Sequence, residues 1–247
     1  ANAGFATGRT TAQTNSALFW NDPGGTVQPP WHLLQIASTL MSARGLSLAD
    51  EARLTSLLGM AMTDAGIDAW KQKYITYLWR PITVIGSCAT DATASWNSDF
   101  TTCQGTSANG VTPWQSEIAT PPHPDYLAGH PAFTASAVAV MQGFLGTDEV
   151  ANFCSASDAY TNGNLGAVPQ ITMCFDRLSD LSSGPLGATL SRVYGGIHTI
   201  WAVNDAQAVG TAIGQDIVLN WVPEPASIAV LSFAGVALAG LRRRRRA

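Results

Sequence analysis

The chain has 247 residues, of which 46% are hydrophobic and 12% are charged, a composition typical of a packed globular protein and not of a disordered one. Its net charge is −4, but five of the thirteen basic residues form the run Arg242–Arg246, and the rest of the chain carries seventeen acidic groups against eight basic ones. An acidic body without a local basic patch argues against a nucleic-acid partner.

The N-terminal part lacks the features of a secretory signal. Residues 1–14 contain neither a charged start nor an apolar stretch. Because later features indicate export, we expect the signal to have been removed or left out, and we treat the domain as a candidate N-terminal truncation. Residues 15–30 are predicted to be irregular, with a turn at Asn21–Gly25.

Two helices are predicted next. The first spans residues 31–44. The second runs from about Leu48 to Trp79, because Ser47 with Asp50 is similar to a capping box and the apolar residues that follow repeat every 3.6 positions.

The second half of the chain is predicted to contain three more helices. After a long loop over 86–127, a helix with a proline in its first turn spans 131–144. Another loop covers 147–175, and two helices follow over 183–194 and 198–220. Because no segment has a strand-like alternation of any length, the predicted fold class is all-α, a helical bundle around one core.

The four cysteines lie in loop-like stretches rich in small polar residues, and none forms a Cys-x-x-Cys pair, so a zinc site is disfavoured. The simplest pairing, Cys88 with Cys103 and Cys154 with Cys174, staples two local loops and suits an exported protein. The two other pairings remain open, as do four reduced thiols in a cytosolic protein.

Lys73 and Arg80 form the first candidate binding segment. Seven positions apart on one predicted helix, they lie on the same face, two turns from each other. Two cations on an otherwise apolar face repel each other unless an anion lies between them. The alternative is that both side chains extend to solvent.

Gly129 and His130 form the second segment, just before a predicted helix N-terminus. Backbone N–H groups and the helix dipole make such a position a ready anion site. Glycine allows close approach of a ligand, and His130 can move a proton. The alternative is that His130 is a structural helix cap.

Arg192 and His198 form the third segment, on either side of Gly195-Gly196. The glycine pair bends the chain, so both side chains can converge on one point, where an arginine makes bidentate contacts with an oxyanion. The alternatives are a charge that ends a helix and a core histidine.

Together the patterns Lys-x6-Arg-Pro, Gly-His and Ser-Arg-x5-His, in this order, resemble the superfamily of vanadium-dependent haloperoxidases and type 2 phosphatidic acid phosphatases (PAP2). The resemblance covers roughly residues 17–220, and the stretches Ala17–Asp22 and Pro29–His32 are similar to the bacterial haloperoxidase branch. It implies a helical bundle with vanadate, or phosphate in the same place, at its centre.

The resemblance also implies a role for each site residue. Three cations neutralise the oxyanion, namely Lys73, Arg80 and Arg192. The Gly129 N–H adds a hydrogen bond, and His130 is the acid–base residue. His198 is the apical ligand to vanadium in a haloperoxidase, or the phosphorylated nucleophile in a phosphatase.

Two positions depart from the superfamily pattern. Ala128 stands where a serine hydroxyl usually binds the oxyanion, a loss of about 1–3 kcal/mol of anion binding. Ala202 stands where the phosphatases have an aspartate that orients the histidine, and Asp205 lies one helical turn further on. Because a backbone carbonyl can orient a metal-bound imidazole instead, the second departure favours the haloperoxidase.

The residues at positions Trp70 and His123 bear on which halide the site would prefer. Trp70 stands where a chloroperoxidase of the superfamily has a halide-pocket tryptophan, and His123 stands where that enzyme has phenylalanine and algal bromoperoxidases have histidine. This resemblance implies bromide or iodide rather than chloride. For Trp70 the alternative is ordinary core packing.

The C-terminal residues 222–247 resemble the PEP-CTERM sorting tail of Gram-negative bacteria. They contain Pro-Glu-Pro at 223–225, an apolar stretch over 228–241 and the terminal arginine run. The resemblance implies that residues 1–221 form the helical domain. It also implies export across the inner membrane to the periplasm, cell surface or matrix, with transient anchoring and removal of the tail by an exosortase. A buried or amphipathic terminal helix is the alternative, which five consecutive arginines disfavour.

Three functional hypotheses follow. The first is a vanadate-dependent haloperoxidase that uses hydrogen peroxide and halide. The second is a PAP2-type phosphatase that acts on a soluble phosphate ester through a phosphohistidine. The third is a non-enzymatic surface or matrix protein with a decayed pocket. The oligomeric state is left open.

Overall fold

The structure is a computed structural model, and it describes residues 8–24, 26–88, 95–96, 103–104, 116–157, 161–162, 166–167 and 170–221. Helices dominate this part of the chain, as the sequence predicts. The helices are α1 (Thr11–Phe19), α2 (Pro29–Ala43), α3 (Leu48–Thr76), α4 (Pro81–Cys88), α5 (Gly129–Leu145), α6 (Leu178–Ser182), α7 (Ala188–Tyr194) and α8 (Ile200–Asn220). None of them, within these ranges, is long and apolar enough to cross a bilayer.

Helix α5 is the centre of the bundle, and eleven of its seventeen residues are buried. A Cβ added at Gly210 would lie 2.3 Å from the carbonyl oxygen of Ala132, and one at Gly214 would lie 2.3 Å from that of Ser136. The two glycines therefore let the α8 backbone rest directly on α5. The contact four residues further along α8 is also four residues further along α5. The two helices therefore run parallel, and their N-termini lie at the same end of the bundle.

Several helix boundaries differ from the prediction. Helix α1 overlaps the stretch 15–30 that was predicted to be irregular, although Thr10 and Gln13 form a capping box that the sequence already contained. Helix α3 ends at Thr76 and not at Trp79, because Tyr77 adopts a left-handed conformation with φ 50°. Helices α7 and α8 begin later than expected, and α4 starts at Pro81 where the sequence suggested only an end to α3.

The prediction of a strand-free chain is wrong for part of 147–175. There β3 (Glu149–Ala156) and β6 (Thr172–Arg177) form an antiparallel ribbon. Only one residue of β3 is buried, because the strand does not have one apolar face packed on the core. The sequence therefore has no regular apolar alternation that would mark the strand. Two-residue pairs are formed by β1 (Ser95–Trp96) with β2 (Cys103–Gln104) and by β4 (Thr161–Asn162) with β5 (Gly166–Ala167).

The predicted disulfide between Cys154 and Cys174 is present and joins directly opposite residues of the ribbon. The neighbouring pair Phe153 and Phe175 is buried, and the Phe175 ring lies 6.1 Å from that of Phe19 in α1. The ribbon is thereby attached to the core. The side chains of the predicted Cys88–Cys103 pair lie outside the part of the chain that the structure describes, as do residues 222–247 and the domain boundary proposed there.

Candidate anion-binding site

The three predicted segments meet at the end of the bundle where α5 and α8 begin. Lys73 lies in the last turn of α3, and His130 lies in the first turn of α5. Arg192 lies near the end of α7, and His198 lies just before α8. The cationic side chains are deeply buried, with exposed fractions of 0% for Lys73 and Arg192 and 5% for Arg80.

Lys73 and Arg80 converge in a way that the sequence prediction had wrong. They do not share one helix face, because α3 ends at Thr76 and Arg80 lies in the short segment before α4. The left-handed Tyr77 turns the chain at the end of α3. The two side chains approach each other because the chain folds back, and not through helical periodicity.

Lys73 is held by the loop that precedes α5. Its Nζ donates to the carbonyl oxygens of Pro124 and Asp125, both at 3.0 Å, and lies 5.6 Å from the centre of the Trp70 ring. Burial lowers the pKa of Lys73 to about 7, the charge of Arg80 acts in the same direction, and Asp125 opposes both. An anion bound nearby would therefore raise the pKa of Lys73 and favour its charged form.

Arg80 donates to groups on two sides of the site. Nε donates to the His123 carbonyl at 2.9 Å and Nη2 to His123 Nδ1 at 3.0 Å. Nη1 donates to the Ile197 carbonyl at 2.7 Å and to His198 Nε2 at 3.0 Å. Burial lowers the pKa of Arg80 to about 10, against the opposing charge of Asp125, so the guanidinium stays charged at neutral pH.

His198 is oriented by Asp125, a contact that the sequence reasoning missed. Its Nδ1 donates to Asp125 Oδ1, whereas the expected positions contribute nothing: Ala202 has no polar side chain, and Asp205 accepts a hydrogen bond from Tyr126. Burial, then the charge of Arg80, keeps the pKa of His198 well below its usual range, so the ring is neutral. The only signal in the sequence was that Asp125 belongs to the same loop as His130.

Arg192 closes the opposite side of the site. Its Nε donates to Ser191 Oγ at 3.0 Å, and its Nη2 donates to the Ala17 carbonyl of α1 at 3.2 Å. Burial lowers the pKa of Arg192 to about 10, Asp22 opposes that shift, and Arg80 adds to it. Helix α1, which the sequence prediction left out, is therefore part of the wall of the site.

His130 faces a carboxylate from the segment after α1. Its Nε2 lies 3.9 Å from Asp22 Oδ2 and has no hydrogen-bond partner among the described residues. Asp22 Oδ1 accepts from His32 Nδ1 at 2.9 Å, so Asp22 is fixed by one histidine and faces the other. Burial, then the charge of Arg192, keeps the pKa of His130 well below its usual range, so the ring is neutral.

Trp70 and His123 form one flank of the site, with ring centres 5.4 Å apart. A Cβ added at Gly129 would lie 2.9 Å from the Trp70 ring, so glycine is needed there for the indole to pack on the start of α5. His123 accepts from Arg80, and burial with the charges of Lys73 and Arg80 lowers the pKa of His123 to about 4. This flank is neutral and aromatic at ordinary pH.

The start of α5 supplies backbone donors and no hydroxyl. Ala128 caps the helix without a side-chain hydrogen bond, and its own N–H donates to the Ala202 carbonyl at 3.2 Å. The first N–H groups of a helix have no acceptor within it, so those of Gly129 and His130 are available to a ligand. The missing serine hydroxyl at Ala128 therefore leaves the backbone part of the site intact.

The charges of the site do not balance. Within the described ranges, none of the three buried cations forms an ion pair with a carboxylate, because Asp22 and Asp125 are bound to histidines. Where Lys73 is protonated, below about pH 7, three cations stand against two carboxylates, and burying unpaired charge is costly. A tetrahedral oxyanion such as vanadate or phosphate fits this arrangement, since it supplies negative charge and acceptors together.

Known proteins that are similar to this chain include vanadium-dependent peroxidases. The family model described as the VCPO second helical-bundle domain matches residues 53–222. A vanadium chloroperoxidase from Curvularia inaequalis is 29% identical over 139 residues, which cover 52% of this chain and 22% of that protein. The chain thus spans about a fifth of the length of this curated relative.

Two solved structures are similar in fold. A bacterial vanadium-dependent iodoperoxidase has 24% identity and a TM-score of 0.64, with 85% of this chain and 44% of that one covered. A bacterial vanadium-dependent chloroperoxidase, crystallised in the holo form, has 15% identity and a TM-score of 0.62, with 86% and 45% covered. These similarities extend over most of this chain, and the chain spans less than half of each neighbour.

Proposed function

Because the chain belongs to the family of VCPO second helical-bundle domains, we propose that it is a vanadate-dependent haloperoxidase that oxidises halide with hydrogen peroxide. The observation that carries the proposal is the group of three buried cations around His198, none of them ion-paired to a carboxylate among the described residues. Similarity to bacterial iodoperoxidase and chloroperoxidase folds supports it.

The chain's own residues would hold vanadate by charge and by one bond. Lys73, Arg80 and Arg192 supply positive charge, and His198 offers Nε2 as the ligand atom. Arg80 Nη1 donates to that same nitrogen at 3.0 Å, so a bound oxyanion competes with Arg80 for it. Vanadate held there supplies a Lewis-acidic centre that activates peroxide toward halide.

His130 is the residue that moves the proton. Its ring is neutral because burial and the charge of Arg192 keep its pKa low. Nε2 has no partner among the described residues and faces Asp22 at 3.9 Å, so it can take a proton from peroxide, and Asp22 stabilises the charge that forms.

Trp70 and His123 border the place where halide would approach. Their aromatic faces are apolar, and His123 is neutral at ordinary pH because its pKa is about 4. A large, easily desolvated halide suits such a flank better than a small one. We therefore propose bromide or iodide as the preferred substrate.

The decisive experiment is a bromination assay on protein loaded with vanadate and supplied with peroxide and bromide. We expect activity in the wild type, a loss of at least about tenfold in Arg80→Gln, and no change in Arg44→Gln, an arginine-to-glutamine control at an exposed position outside the site. Folded protein that binds vanadate but forms no brominated product would overturn the proposal.

A phosphatase is the second candidate, and the Asp125–His198 contact favours it. The sequence offered no carboxylate at position 202 to orient a nucleophilic histidine, yet Asp125 does so from another segment. His198 Nε2 can then attack phosphorus, with His130 protonating the leaving group. Release of phosphate from p-nitrophenyl phosphate that persists in His198→Ala would rule this mechanism out.

We further propose that residues 222–247 are a sorting tail removed by an exosortase after export, and that residues 1–221 work in the periplasm, at the surface or in the matrix. The disulfide between Cys154 and Cys174 supports an oxidising compartment. Mass spectrometry of the protein recovered from a host with an exosortase would show the loss of the tail. An intact C-terminus in exported protein would contradict it.

A further inference from the structure

We propose that Asp125 is the positioning residue of His198, and that it fixes the ring in the tautomer with the proton on Nδ1 and the lone pair on Nε2. The inference deepens the proposed function, on which it rests for the role of His198 as ligand. The sequence resemblance implied an orienting carboxylate at position 202 for the phosphatases, and this chain has alanine there.

The carboxylate of Asp125 is fully buried and both of its oxygens are used. Oδ1 accepts from His198 Nδ1. Oδ2 accepts from the backbone N–H of Thr199 at 3.2 Å and from its Oγ1 at 2.7 Å. The two donors of Thr199 fix the position of Oδ2. They thereby hold the carboxylate with Oδ1 directed at His198 Nδ1.

The backbone of Asp125 ties this carboxylate to the rest of the site. Its N–H donates to the Leu78 carbonyl at 2.9 Å, and its carbonyl accepts from Lys73 Nζ at 3.0 Å. Asp125 therefore contacts the segments of Lys73, of His130 and of His198. Asp125 thus links Lys73, through its carbonyl oxygen, to the His198 ring, through its carboxylate.

Two contacts assign the same tautomer independently. Burial raises the pKa of Asp125. The two donors of Thr199 and the charges of Arg80 and Lys73 instead favour its ionised form, which can only accept a hydrogen bond from Nδ1. A guanidinium only donates, so Nε2, the partner of Arg80 Nη1, must carry the lone pair. The ring is thus prepared on both sides to offer Nε2 to an electrophilic centre.

Asp125→Asn should reverse this tautomer. Thr199 presents two donors, so the amide oxygen must face Thr199 and the amide NH2 must face His198. Nδ1 then becomes the acceptor and Nε2 carries the proton, directly opposite the donating Arg80. A single isosteric change therefore removes the lone pair from the ligand atom.

The first test is the tautomer itself, measured in the ligand-free full chain by long-range proton–nitrogen NMR on protein with ¹⁵N-labelled histidine. The chain has four histidines, so His198→Gln identifies the signal. We expect Nε2 to be unprotonated in the wild type and protonated in Asp125→Asn. Asp22→Asn is the matched control, because Asp22 binds His32 and faces His130, and it should leave the His198 tautomer unchanged.

The second test is affinity for two anions. Vanadate forms a bond with nitrogen, whereas sulfate is held by charge and hydrogen bonds alone. Loss of a residue that orients a metal ligand typically weakens metal affinity by roughly 10- to 100-fold. We expect that loss for vanadate in Asp125→Asn and no comparable loss for sulfate, because sulfate forms no bond with the Nε2 lone pair.

The outcomes separate this inference from the proposed function. A wild type with the proton on Nε2 overturns the inference even if Asp125→Asn does not fold. An Asp125→Asn protein with the wild-type tautomer, or with equal losses for both anions, overturns it as well. Wild-type protein that binds vanadate and has the expected tautomer but does not brominate contradicts the proposed function and leaves the inference standing.

Discussion

A buried lysine whose described partners are two carbonyl oxygens holds its proton weakly, because carbonyl dipoles replace only part of the lost hydration. Lys73 is such a residue, with a pKa of about 7 against an ordinary value of 10.5. Arg80 and Arg192 stay charged at neutral pH. The affinity of the site for anions therefore depends on the protonation of Lys73 near neutral pH. At higher pH it depends on the positive charge of the two arginines.

This has a measurable consequence for proton exchange. At pH 8 Lys73 is mostly neutral in the free protein, and an anion beside it favours the charged form. Binding should thus take up as much as about one proton per site, and affinity should fall as pH rises through about 7. Calorimetry with sulfate, which has no proton to exchange there, in buffers of different ionisation enthalpy measures the uptake. Lys73→Gln should abolish it, and an unchanged uptake in that variant would contradict the assignment.

The stability of the free protein should follow the opposite trend. The unfolded chain keeps Lys73 protonated up to about its ordinary pKa of 10.5, whereas the folded chain releases the proton at about 7. Between these values the unfolded state binds more protons, so the contribution of Lys73 to the free energy of unfolding rises with pH. Urea unfolding at pH 7 and pH 9 tests this, with Lys73→Gln removing the Lys73 part of the slope.

At the scale of elements, glycine residues determine how closely two helices can pack. Gly210 lets α8 rest on the carbonyl of Ala132, whereas Gly59 in α3 has no atom within 4 Å of an added Cβ. Gly210→Ala must therefore separate α5 and α8, and we expect a loss of about 1–3 kcal/mol in the free energy of unfolding. Gly59→Ala should instead stabilise the protein by about 0.5–1 kcal/mol through helix propensity. Urea unfolding of both variants measures the contrast, and equal effects would contradict the close approach.

The helix ends and contacts differ in how well the sequence could predict them. The helix with proline in its first turn was expected within two residues of where α5 begins, because local signals mark its start. The end of α3 was misplaced because nothing in the sequence marks Tyr77 as left-handed. The Asp125–His198 contact joins residues 73 positions apart, and no periodic pattern encodes a partner at that distance.

At the scale of the molecule, the disulfide fixes the ribbon that carries Phe175 to the core. Cys154 and Cys174 are 20 residues apart, and closing such a loop typically stabilises a protein by about 3 kcal/mol. The double variant Cys154→Ser/Cys174→Ser should lose roughly that much in denaturant unfolding without reductant. A loss below about 1 kcal/mol would mean that the ribbon is held by its packing alone.

The parallel contact of α5 with α8 bears on the time course of folding. Residues around Ala132 and Gly210 are far apart in the chain, so forming this contact closes a long loop, which is slow. The anion site lies where these two helices begin, and it cannot exist before they dock. The site also needs Lys73, Arg80 and Arg192, which lie outside these two helices, so we expect an oxyanion to bind only once all these segments are in place, after the rate-limiting barrier. Vanadate should then slow unfolding in proportion to its concentration and leave the refolding rate unchanged. Vanadate should thus lengthen the lifetime of the folded protein without changing how fast that state forms.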